Sequence, residues 1–235
     1  MQNAQAAEQN ALAEVFVLSR YRLKYKKKDE ARYISHLDFV RTITRTFRRA
    51  GLPVKYSQGF NPHMIMTVAL PISVGVISDA EYMEIEFTEE VPCDKIVSAL
   101  NRNIPLGLEI TDAREVTDTD IPLNKIAYAK YFVSVEHKGL CDIEKLMQND
   151  TLEVDKKTKK GITLTDIKPM ISSIRLIGGD LGNAEYEMVL SAGNVKNLKP
   201  ETVISAFEKY GEDYKAGFIS VTRKEMYFDA FQSVM

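Results

Sequence analysis

The chain has 235 residues, 45% of them hydrophobic, and a formal net charge of −2, enough to bury one large core or two of about a hundred residues each. Its opening, MQNAQAAEQNALAE, has neither a basic start nor an apolar run of signal length, and no later segment reaches the roughly 18 apolar residues that cross a bilayer. A cytoplasmic protein with no membrane partner is the expectation.

Residues 1–14 read as a loosely ordered tail. From Phe16 to Lys26, Ser19, Tyr21, Leu23 and Tyr25 alternate with Arg20, Arg22, Lys24 and Lys26, the period-two pattern of a half-buried strand. Ser35 then caps a helix with Asp38 at its third position, and Gly51 with Pro53 stops it. Leu37, Val40, Thr44 and Phe47 are expected to form its core stripe, flanked by Arg41, Arg45 and Arg48. Met64 to Leu70 is a continuous apolar run and Glu81 to Phe87 alternates, with PISVGVISD as the turn between them. Pro92 opens a second helix through about Arg102, and Gly107 to Val116 offers another strand. The order β-α-β-β-α-β is the split βαβ, or ferredoxin-like, pattern, and it places an α+β domain with an antiparallel sheet at 15–117.

Residues 118–126, with Asp118, Asp120 and Pro122, read as a linker. The pattern then recurs over 127–235: a strand from Ala127 to His137, a short helix from Asp142, strands over 166–177 and 184–191, a helix from Pro200 to Tyr210, and a strand from Phe218 to Phe228. A second, divergent ferredoxin-like copy is expected there, with KKTKKG at 156–161 as an inserted basic hairpin or mobile loop. Cys93 and Cys141 stand far apart without CxxC spacing and read as incidental thiols.

The near-zero charge hides segregation. Between Arg20 and Arg49 eleven Lys/Arg face three Asp/Glu, and from Asp79 to Asp118 the count is three against eleven. Either an anion-binding surface lies beside an acidic one, or the two segments pair internally. Split-βαβ topology sets Arg20, Arg22 and Lys24 beside Tyr82, Glu84 and Glu86, so the polar sheet face is ionic rather than an aromatic platform for reading RNA.

The densest chemistry lies in the helix and the loop that follows it. Arg41, Arg45, Arg48 and Arg49 can join Lys55, Tyr56, Ser57, Gln58, Gly59, Phe60, Asn61 and His63 in one anion- or substrate-binding patch: arginine forks pair with phosphate, glycine admits close approach, and the aromatics stack on bases. The competing reading is a packed loop with Phe60 plugging the core. His36, Asp38 and His63 are the candidate acid/base groups. The helix is on the order of 20 Å long, which separates the two histidines, and His36 is expected to meet Ser78 and Asp79 instead. No metal site is expected from three scattered histidines. There is no GxxxxGK[ST], HExxH, GxSxG or three-cysteine cluster motif, and no cofactor is expected.

Over about residues 20–117, SHLD, RRAGLP, YSQGFNPH, ALP, VG and EY follow one another in order. In these motifs the chain resembles the radical-SAM-linked domain family, a bacterial family of unknown function found beside or fused to B12-binding-type radical SAM proteins. The family's loop tends to read NPHPK; here Met64 and Ile65 follow His63, so that lysine's anion contact is missing. The family supplies no established catalytic residues. What the resemblance implies is a radical SAM partner. Two functions follow: a non-catalytic adaptor that binds a substrate, RNA above all, or an enzyme using His36 or His63 as acid/base on a phosphate-containing substrate.

Overall fold

The computed structural model describes residues 19–158, 161–180 and 182–235. The expected tail at 1–14 and the start of the first strand lie outside them. The elements are β1 Ser19–Lys27, α1 His36–Ala50, β2 Met66–Val68, β3 Ile77–Phe87, α2 Cys93–Asn101, β4 Leu108–Glu115, β5 Tyr128–Leu140, α3 Ile143–Gln148, β6 Glu153–Thr158, β7 Gly161–Asp166, β8 Ile171–Asp180, β9 Asn183–Ser191, α4 Pro200–Tyr210 and β10 Glu212–Tyr227. No helix among the described residues is long and apolar enough to cross a membrane.

The protein is mixed α+β. Eight strands form one sheet in the order β4-β1-β3-β10-β5-β9-β8, with β2 also on β3, while β6 and β7 make a separate hairpin. Two antiparallel sheets were expected; the structure corrects this to one continuous sheet, because β10 lies parallel to β3 through Thr222↔Ile77 and Arg223↔Ser78. Every other pairing is antiparallel.

Alternation decides what each strand buries. Tyr21, Leu23 and Tyr25 of β1 and Met83, Ile85 and Phe87 of β3 pack with Phe39, Ile43 and Phe47 of α1 and Ile96 and Leu100 of α2. Farther along the sheet, Tyr131, Val133 and Val135 of β5 and Tyr186, Met188 and Leu190 of β9 pack with Val203, Ile204 and Phe207 of α4. The buried residues of α1 are Phe39, Ile43, Thr46 and Phe47, whereas Leu37 is exposed. The expected stripe is thus rolled: Tyr25 stacks on Phe39 with ring centroids 4.9 Å apart, and Val40 and Thr44 are only half-buried. Ser35 does cap the helix, accepting from the Asp38 backbone N–H, and Gly51 closes it at φ 66°.

Opposite the helices, the ionic rows lie in register: Arg20↔Glu86, Arg22↔Glu84 and Lys24↔Tyr82. This face is covered at Arg22, while Arg20 is exposed. Arg22 has no exposure and donates to Glu84 Oε1 at 2.7 Å, to the carbonyl of Ile121 at 2.6 Å and to that of Val234 at 2.7 Å. The connecting segment is therefore packed down, with Leu123 and Ile126 buried and Asp120 paired to Arg114 at 2.7 Å. Of the KKTKKG segment, Lys156 to Thr158 end β6 and Gly161 opens β7, while residues 159 and 160 lie outside the described residues.

Candidate functional site

The loop after α1 is built as a two-stranded spur. Lys55 N–H donates to Glu86 O and Ile65 N–H to Lys55 O, and Tyr56 bridges to Met64. Ser57 latches it: its N–H donates to His63 O, its Oγ lies 2.8 Å from His63 Nδ1 and accepts from His63 N–H at 3.1 Å. The spur reverses through Gln58 to Pro62, with Gly59 at φ 115°, a conformation that side chains resist. Phe60 has 105% relative exposure. It does not plug the core, and its ring stands in solvent at the tip.

Beside the spur lies a cleft of about 320 Å³. One wall is a stripe of α1 spaced by four residues, His36, Val40, Thr44 and Arg48; the other runs from Pro62 and His63 to Val68. Twelve residues of helix, about 18 Å, separate His36 from Arg48, yet both histidines open onto the same cleft. His36 does not meet Ser78 and Asp79: Ser78 donates to Arg223 O and Asp79 pairs with Lys224. Asp38 is engaged by the Ser35 hydroxyl at 2.7 Å and by Arg41 at 3.3 Å, holding it in the cap.

The expected cationic patch divides by helix geometry. Arg45 and Arg48 are exposed and have no carboxylate partner among the described residues, although Arg48 Nε donates to Tyr56 Oη at 3.4 Å. Arg49, about a hundred degrees farther round the helix, turns to the α2 flank and donates to Asn103 O at 2.6 Å. Lys55 is paired with Glu86 at 2.9 Å. Among the described residues, Arg48 at the spur and Arg45 one turn earlier on α1 are thus without a carboxylate partner, and Arg41 is partly neutralised by Asp38. Of the segregated charge, strand residues pair internally, as Arg22 with Glu84 does, while Arg45 and Arg48 have no carboxylate partner among the described residues.

Two features escaped sequence reading. A buried ion pair, Arg223 with Glu81, has 4% and 1% side-chain exposure and lies between the two cores. Beside it a second cavity, about 360 Å³, is lined by segments from both halves of the chain. The partners are 142 residues apart, and no local pattern announces such a contact. Among the described residues no three His, Cys, Asp or Glu side chains group to hold a metal ion. Burial, with a smaller effect from Asp142, pushes the Cys141 thiol up to about 11.

The model of a family described as "Uncharacterized protein conserved in bacteria" matches residues 20–200. No curated protein matches the chain. The crystal structure of an unknown protein from Galdieria sulphuraria is similar over 88% of this chain and 98% of its own, at 10% identity and a TM-score of 0.26. That score is too low to carry an argument.

Proposed function

The chain belongs to DUF2344, a family of uncharacterized proteins conserved in bacteria, and with no activity to take over from that family we propose a role from its own surface: a non-catalytic module that binds single-stranded RNA. The observation that carries this reading is Phe60, held fully in solvent on a latched spur that Arg48 reaches through Tyr56, with Arg45 exposed one turn earlier on α1. An exposed ring of that size loses free energy in water and stacks on any base, and guanidinium forks take the phosphates. Base stacking and phosphate contact together suit a strand of mixed sequence. The sequence resemblance adds a radical SAM enzyme as the partner to which the bound RNA is presented.

The finer fold reading supports an adaptor. The orders β4-β1-β3-β2 and β10-β5-β9-β8 are each that of a split βαβ unit, so we read 15–117 and 127–235 as two ferredoxin-like units fused edge to edge through the parallel β3–β10 contact. The rival reading, acid/base catalysis by His36 or His63, draws on their shared cleft. Asp38, the nearest carboxylate in sequence, is taken by Ser35 and Arg41, which leaves neither histidine oriented by it.

The test is fluorescence anisotropy with a labelled oligouridine of about twelve nucleotides, within the span that single-strand grooves cover. With about four phosphates contacted, log K should fall against log salt with a slope near −3. Arg45→Ala with Arg48→Ala should flatten that slope to about half, and Phe60→Ala should weaken binding at every salt concentration. Absence of RNA binding sinks the proposal. Turnover of a phosphoester panel that disappears in His36→Ala or His63→Ala would establish the enzyme reading instead.

A further inference from the structure

Three cavities on the helix side of the sheet are joined through shared walls. The cleft beside α1 shares His36 and Val68 with a neck of about 20 Å³, and the neck shares Pro71 and Ile72 with the 360 Å³ cavity between the two cores. The segment 62–73 thus forms one continuous edge, from the spur to the second half of the chain.

The far chamber differs chemically from the near one. Ile72, Val76 and Val221 give it apolar walls, while Tyr131 and Arg223, 7% and 4% exposed, lie at its floor. Arg223 is already paired with Glu81, so the floor offers hydrogen-bonding groups rather than net charge. Lys199 stands at the rim with its Nζ 3.2 Å from Ser73 Oγ, a weak contact between neutral hydroxyl and ammonium that a phosphate would displace. The volume falls in the roughly 300–1,000 Å³ range of small-molecule sites, room for one nucleoside-sized group against apolar walls.

We infer that the RNA groove runs across both halves of the chain, and that the cavity between the cores receives one nucleotide of the strand whose neighbours lie beside Arg48 and Phe60. This rests on the RNA-binding reading and extends it. The neck is too small for a base, so the backbone crosses there at the surface, past His36, with bases lodged in the chambers on either side. Lys199 takes a phosphate at the far end.

Two exposed positions test this without disturbing the core. Lys199→Glu should raise the Kd for the twelve-nucleotide oligouridine about tenfold at low salt through a reversed phosphate contact. The chain contains no tryptophan, so Ser73→Trp places a single indole at the mouth of the cavity, and saturation with unlabelled oligouridine should quench or shift its emission. If wild type binds RNA and Arg45 and Arg48 matter, but Lys199→Glu leaves Kd within about twofold, or the indole emission stays unchanged at saturation, the two-half groove is wrong and the binding module stands. If wild type binds no RNA, both fall together.

Discussion

Arg22 is a guanidinium with no exposure, held by four hydrogen bonds to Glu84, Ile121 and Val234, with the Phe228 ring 5.5 Å from its guanidinium carbon. Alternation along β1 with split-βαβ topology set its row beside Tyr82, Glu84 and Glu86 from sequence alone, and the structure adds the register Arg22↔Glu84. Its burial was not legible, since the carbonyls that cover it lie 99 and 212 residues away. Removing one member of a buried pair strands the other, at about 3–5 kcal/mol. Urea denaturation of Arg22→Leu should therefore show a loss of that size, while Arg45→Ala, exposed and without a carboxylate partner among the described residues, should stay within about 0.5 kcal/mol of wild type. A loss for Arg22→Leu below about 1 kcal/mol would show that the face is wet and the staple idle. Phe60 teaches the converse: a ring in a loop reads as core or as contact surface with equal ease, and only the spur's latch decides.

At the scale of elements, caps and periodicity were legible because their causes are local. Ser35, Gly51, Pro92 and Pro200 mark helix ends that the structure repeats within a residue or so. The α1 stripe was not, because the helix is rolled by Tyr25 stacking on Phe39, and half of the expected stripe became the wall of the cleft. The expected 64–70 run divides: Met64 bridges back to Tyr56, residues 66–68 pair with β3, and Leu70 leaves the ladder at φ 34° before Pro71. Ion pairs between elements predict how stability varies with pH. Lys28, Arg114 and Arg175 hydrogen-bond Glu109, Asp120 and Glu187 and hold each carboxyl below its ordinary value. With folded pKa values below unfolded ones, near 4, the unfolded chain takes up protons first. The stabilisation is then complete above about pH 5 and is lost as pH falls through the folded values. Melting temperature should be flat from about pH 8 to 5 and decline below, and Asp120→Asn should make that decline shallower. An unchanged acid limb would show that the Arg114–Asp120 clasp contributes nothing to folding.

At the scale of the molecule, the mixed α+β class was readable, but the joining of strands from both halves into one sheet was not: only two residue pairs make the β3–β10 ladder. Contacts from β10 to β3, β1 and the 69–76 connection reinforce it. Arg223 pairs with Glu81 and donates to Leu70 O at 2.9 Å, Ser78 donates to Arg223 O at 3.2 Å, and Lys24 reaches Glu225 at 2.7 Å. Two cores tied by buried charge should unfold as one. Circular dichroism and tyrosine fluorescence should give coincident transitions in urea. Arg223→Leu leaves Glu81 buried without its cation and should cost about 3–5 kcal/mol, whereas Arg223→Leu with Glu81→Leu should recover much of the loss, because two apolar side chains of similar volume need no partner. Two separated transitions in wild type, or a double variant no better than the single, would mean that the halves fold independently and that the parallel ladder only lays them side by side.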